Sequence, residues 1–139
     1  MTLPARPTAA VVLAAVDRVM SVRWQWGRAD CCTAACDVFQ ALWGRDPMAS
    51  VRGRYDSAMG AVRLIGEWGD LPAMAEAMAR AALLRPSNGL CGDLGLSMPG
   101  AAGGPDGRAI LICVGPGRWA GKTTGGYAIL PNAERAWGV

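Results

Sequence analysis

The feature that most constrains the fold is a change of periodicity at Arg85-Pro86-Ser87-Asn88-Gly89. Before it, apolar residues recur at three- and four-residue spacing, the pattern of amphipathic helices. After it, short apolar runs lie between glycines, the pattern of strands joined by turns. Helices followed by a small antiparallel sheet make an α+β domain by element order.

In the first half, Pro7-Thr8 opens a helix running to about Val22, with Val11, Val12, Ala15, Val16 and Val19 on one face. Trp24-Gln25-Trp26-Gly27 breaks that pattern and reads as a loop. Asp30 is placed to cap a second helix through Trp43, with Gly44 as its C-terminal stop. On it Cys32, Cys36, Phe39 and Trp43 share a stripe, which predicts burial of one side. Asp56 or Ser57 caps a third helix through about Glu67. Asp70 caps a fourth to about Leu84, with Pro72 in its first turn. The second half predicts three strands, 93–98, 108–115 and 127–130, with 99–107 and 116–126 as loops. No linker or internal repeat divides the chain, so 1–139 is expected to be a single domain.

The chain has 139 residues, of which 52% are hydrophobic and 18% charged, which suits a globular domain with its own core. Net charge is +3, with Lys122 as the only lysine and the arginines dispersed. No basic run marks a nucleic-acid footprint, so no nucleic-acid partner is expected. The apolar stretch from Ala9 to Val16 stops at Asp17-Arg18, short of membrane-spanning length, and no secretory signal pattern precedes it. With 5 cysteines, an odd number, the chain reads as one made in a reducing cytoplasm with its thiols free.

Two facts bear on chemistry together: Asp30-Cys31-Cys32 opens a helix, and the chain contains 0 histidines. A thiol in the first helical turn feels the positive end of the helix and its unpaired amides, which favour thiolate. The plainer reading is that Cys31 and Cys32 are small apolar residues packing the helix start behind an Asp cap, and spacing favours it. Cys31, Cys32, Cys36, Cys91 and Cys113 match no zinc or iron–sulfur spacing, and Cys113 sits inside an apolar strand, so no metal and no cofactor are expected. Gly121-Lys122-Thr123 matches only the end of a phosphate-binding loop. The leading glycine of that motif falls on Pro116, which lacks the amide the motif needs. Trp24, Trp26, Arg52, Arg54 and Tyr55, with Trp119, are of the types that dominate protein interfaces and are candidate docking residues, although loop packing accounts for the first five equally well.

The pattern as a whole resembles the NlpC-type cysteine peptidases that cut cell-wall peptides, and more closely a small phage-encoded family related to them and found among tail genes. The resemblance rests on Trp24-Gln25-Trp26-Gly27-Arg28-Ala29-Asp30-Cys31 for W-x-W-G-x-x-D-C and on Arg52-Gly53-Arg54-Tyr55 for R-G-x-Y. It continues through Gly92-Asp93-Leu94 at a strand start, the apolar strand Ile110 to Gly115, and Ala136-Trp137 near the end. It covers roughly residues 10–139 and implies a papain-like, NlpC-type architecture. In the active enzymes the cysteine follows an aspartate at a helix start, and the catalytic histidine opens the second strand. Aligning the strand end at Gly115 puts that histidine position at about Ala109, which accepts no proton. Cys31 is then a vestigial nucleophile.

The resemblance implies a structural virion component of a phage or phage-like tail tip or baseplate, with a non-catalytic peptidase-like fold. Its partners would be other tail or baseplate proteins, with possible cell-wall contact and no membrane span. It would reside in the virion after assembly in the host cytoplasm. The rival expectation is an active cysteine peptidase or amidase on peptidoglycan, with Cys31 as nucleophile and Asp93 or Asp106 as an unconventional base.

Overall fold

The structure is a computed structural model that describes residues 5–102 and 107–139. Four helices come first: α1 (Ala9–Met20), α2 (Cys31–Trp43), α3 (Ala58–Gly66) and α4 (Leu71–Ala81). Each starts where a short polar side chain can take up its free amides. Thr8 caps α1, Asp30 caps α2, Ser57 caps α3 and Asp70 caps α4, with Pro72 at the start of the last. Gly44 ends α2 at φ +72°, the left-handed conformation that costs glycine least.

Six strands follow: β1 (Arg85–Pro86), β2 (Leu94–Leu96), β3 (Ile110–Gly115), β4 (Arg118–Lys122), β5 (Tyr127–Leu130) and β6 (Arg135–Gly138). They form one antiparallel sheet in the order β1-β6-β2-β3-β4-β5. The chain is therefore α+β, helices first. The sheet has three more strands than the periodicity predicts. β4 lies inside the expected 116–126 loop: Gly117 at φ +71° turns the chain tightly after β3, and Trp119 to Lys122 pair with Leu130 to Tyr127. β6 joins the terminal Ala136-Trp137 to β2, and the two-residue β1 closes the far edge.

α2 lies at the centre. Eight of its residues from Cys31 to Phe39 are buried, which exceeds the single buried stripe expected, because α1 packs against it while β3 and β4 also contact it. β3 is buried along its whole length. Trp119 is 5% exposed. A Cβ on Gly95 would lie 2.4 Å from its ring, and one on Gly89 would lie 2.7 Å away. Both neighbours must be glycine for the ring to sit there. Burying an aromatic ring removes roughly 150–250 Å² from water, a contribution on the order of 4–6 kcal/mol. Trp119 is thus a core residue, and its expected role as a docking residue is corrected.

The Gly92-Asp93 step is structural as well. Gly92 (φ +87°) leaves no room for a Cβ beside Pro7, and the Trp43 indole donates to its carbonyl at 3.0 Å. Asp93 is fully buried. It accepts from Arg6 at 2.9 Å, from the Leu90 amide at 2.9 Å and from the Ser87 hydroxyl. Arg6 also lies over the Trp43 ring and bonds the Cys91 carbonyl. This cluster fastens the segment before α1 to the start of β2.

Candidate functional site

The Trp24–Asp30 loop closes on itself before α2 begins. Gln25 and Ala29 exchange backbone hydrogen bonds of 3.1 and 2.8 Å, which forces Gly27 to φ +83°. A Cβ at Gly27 would stand 2.2 Å from the Tyr55 carbonyl oxygen, so the loop and the Arg52-Gly53-Arg54-Tyr55 segment touch backbone to side-chain position.

Asp30 joins them. Its carboxylate is 1% exposed and accepts on one oxygen from the Cys32 and Thr33 amides at 3.0 and 2.9 Å. The other oxygen accepts from the Gly27 amide at 2.8 Å and from the Tyr55 hydroxyl at 2.6 Å. Thr33 completes a reciprocal cap by accepting from the Asp30 amide at 2.9 Å. A buried charge held by this many donors is costly to disturb. Arg52 pairs with Asp46 at 2.7 Å and with Asp37 at 2.6 Å, and Arg54 pairs at the surface with Glu67 at 2.7 Å. Of the candidate docking residues, Arg52 and Tyr55 are occupied within the fold. Trp24 and Trp26 are half-buried and pack edge to face with centroids 5.1 Å apart.

Cys31, the first residue of α2, is 4% exposed and lines a cleft of about 750 Å³. Ala109, just before β3, lines the same cleft, as do Trp24, Trp26 and Arg23. The floor is supplied by Leu111, Gly121, Ala128 and Leu130 from β3, β4 and β5. The loop is pinned over this sheet face at two points. The Trp24 amide donates to the Thr124 carbonyl at 2.7 Å, and the Lys122 ammonium donates to the carbonyls of Val22, Thr123 and Gly126. Burial lowers the Lys122 pKa, and its donors are directed to carbonyls.

The electrostatics at Cys31 run against activation. Burial raises the thiol far above its ordinary value of 9.0, and the Cys32 thiol and Asp30 carboxylate add to the rise. The Ile110 and Cys32 amides face the sulfur and pull the other way, but they are outweighed. Asp30 has already taken the helix-start amides of Cys32 and Thr33. The expected lowering of the Cys31 pKa by the helix terminus is therefore reversed. Cys32 is likewise raised, by its bond with Cys36 and then by burial. Asp93 lines a separate hollow with Arg6, Arg85 and Ser87, and its oxygens are committed there. Asp106 lies outside the described residues.

Cys91 and Cys113 donate to the Val114 and Gly115 carbonyls at 3.2 and 3.1 Å. All five thiols are free. Among the described residues no three His, Cys, Asp or Glu side chains gather as a metal site would need, and no helix is long and apolar enough to cross a membrane.

The Asp30–Tyr55 bond, the Gly27–Tyr55 contact and the Lys122 carbonyl cage were not legible in sequence, because each joins segments far apart in the chain. The only prior signal was the pairing of a W-x-W-G-x-x-D-C stretch with an R-G-x-Y stretch.

Comparison with curated proteins and with solved structures gives no match. Residues 6–139 match a family model described as a domain of unknown function, DUF6950. That match spans almost the whole chain, including every element around the cleft, and the chain belongs to the DUF6950 family.

Proposed function

We propose that this chain is a non-catalytic, NlpC-like domain that serves as a structural component of a phage or phage-like tail tip or baseplate. One observation carries the non-catalytic part: Cys31 shares its cleft with Ala109, where the resemblance would put a histidine, in a chain with 0 histidines. Thiol hydrolysis needs a group to take the thiol proton and return it to the leaving amine. Such acid–base help is worth roughly a hundred- to ten-thousand-fold. Here burial raises the thiol pKa well above its ordinary value, and the adjacent Asp30 carboxylate is committed to capping α2. The tail location rests on the likeness of the Trp24–Cys31, Arg52–Tyr55 and Ala136-Trp137 motifs to the phage-encoded family.

Two experiments test the two parts. Purified protein on a peptidoglycan zymogram should give no clearing, the same as Cys31→Ala; clearing abolished by Cys31→Ala would establish the active peptidase instead. Tails assembled without this chain should lack density at the tip or baseplate, and an unchanged tip would end the structural reading.

A further inference from the structure

The two edges of the sheet differ in how they are protected. β1 is two residues long, carries Arg85 and contains Pro86, which cannot donate to a further strand. β5, at the other edge, reads Tyr127-Ala128-Ile129-Leu130 and pairs with β4 along its whole length without a bulge. It contains no proline, and no charged residue stands between Lys122 and Glu134. A regular, uncharged edge invites another strand, and folds that must stay single blunt such edges with charge, proline or bulges.

The register shows which groups are free. The Thr123 amide donates to the Gly126 carbonyl at 2.9 Å, so these residues close the β4–β5 hairpin as a hydrogen-bonded pair. Hydrogen-bonded pairs alternate along antiparallel strands, which makes Gly121–Ala128 and Trp119–Leu130 the next two. The amides and carbonyls of Tyr127 and Ile129 therefore point away from β4, and among the described residues no other group bonds them. Ile129 is also 39% exposed.

A second copy of the strand fits these groups. Half a turn about an axis through the sheet beside Ala128 sets Ala128 against its own copy and Tyr127 against Ile129 of the second copy. Each copy then supplies two amides and two carbonyls, which make four hydrogen bonds and use every outward group of both residues. The central Ala128 pair falls at a non-hydrogen-bonded position, where Cα atoms approach to about 4.5 Å and a methyl group fits. Tyr127 beside Ile129 is a favourable aromatic–β-branched pair and covers the exposed isoleucine. A two-fold axis brings charges near it against their own copies, so an uncharged strand is what self-pairing requires.

We propose that β5 is a self-pairing edge, at which two copies of this chain join antiparallel across a two-fold axis and merge their sheets. Because the axis runs through the sheet, both copies keep the same face up, and the two clefts lined by Ala128 and Leu130 open side by side on it. The pairing goes beyond the proposed function and holds whether or not Cys31 is reactive. So short an edge buries less area than a permanent dimer needs, so the association is weak, in the micromolar range or above.

Sedimentation velocity of the full chain from about 10 μM to about 1 mM should show a reversible monomer–dimer equilibrium. Ala128→Lys and Ala128→Glu each set like charges on the axis and should weaken association about fivefold, and an equimolar mixture of the two should recover it. Ala128 is exposed, so circular dichroism of both variants should match the native chain. Ile129→Pro deletes an outward amide and no bond to β4, and should weaken association as well. A native chain that stays monomeric over the whole range would overturn the proposal. So would a dimer that Ala128→Lys and Ile129→Pro leave intact, which would place the interface elsewhere. A mixture no more associated than either charged variant alone would exclude the paired register and overturn it too.

Discussion

The Tyr55 hydroxyl donates a 2.6 Å hydrogen bond to the buried Asp30 carboxylate, joining two segments 25 residues apart. Asp30 also caps α2, so the same carboxylate fixes the helix start and holds the second motif against the first. Replacing Tyr55 with Phe removes one donor from a buried charge. The expected loss is about 2 kcal/mol, in line with hydrogen bonds to charged groups. Urea unfolding should show a lower midpoint at unchanged slope.

Gly27 and Gly44 both have positive φ, at +83° and +72°. Only Gly27 is crowded: an added Cβ there meets the Tyr55 carbonyl at 2.2 Å, whereas Gly44 has nothing within 4 Å. Gly44→Ala should cost about 1 kcal/mol, the usual conformational penalty. Gly27→Ala must also displace the 52–55 segment and should cost on the order of 3 kcal/mol or more. Thermal unfolding of the two variants side by side checks the difference. Equal losses would show that the contact between the two motifs contributes little.

Burial of the thiols predicts an alkaline weakness. Cys31 and Cys32 are raised well above 9.0, and Cys113 is raised by burial to about 11. Tyr55 is raised from 10.0, by burial and by the neighbouring Cys32 and Asp30 charges. In each case the folded state holds its proton to higher pH than the unfolded chain does. The unfolded state then binds fewer protons above its own pKa, and stability falls as pH rises. Each such group contributes a slope of roughly 1.4 kcal/mol per pH unit between its unfolded and folded values. Stability measured by urea unfolding should be flat from neutral pH to about pH 8 and drop steeply above about pH 9. Replacing Cys113 with Val, an apolar residue for an apolar strand, should make the drop shallower.

Local signals and long-range ones separate cleanly in this chain. The starts of α2, α3 and α4 are written in Asp30, Ser57 and Asp70, because a cap acts within three residues of itself. β4 is not written locally. Gly121 and Lys122 are poor strand formers behind a Pro116-Gly117 turn, and they extend only because β3 and β5 pair on either side. Trp119 looks like a surface anchor in sequence, but the glycines that admit its ring, Gly89 and Gly95, come from elsewhere in the chain.

The site divides the same way. Asp30-Cys31 at a helix start is legible, and Cys31 lines one cleft with Ala109. What happens to the sulfur is not legible. Proximity to a helix start argues for a thiolate, but burial and the already satisfied cap reverse the outcome. The burial depends on β3 and other segments distant in the chain that pack against the residue.

The cleft also predicts what a base would change. Ala109→His puts an imidazole on the wall that Cys31 shares. Alkylation of Cys31 by iodoacetamide at neutral pH should then accelerate at least about tenfold, because a neighbouring imidazolium favours thiolate. No acceleration would mean that Ala109 is not positioned to serve the sulfur.

The most direct measurement is the pH dependence of Cys31 alkylation in the native chain, resolved from the other four thiols by peptide mass spectrometry. A thiol held neutral by burial should react slowly at neutral pH, with a rate still climbing above about pH 9. A fast rate that has already levelled off below about pH 7 would reveal a stable thiolate, and with it a base that contradicts the proposed non-catalytic reading.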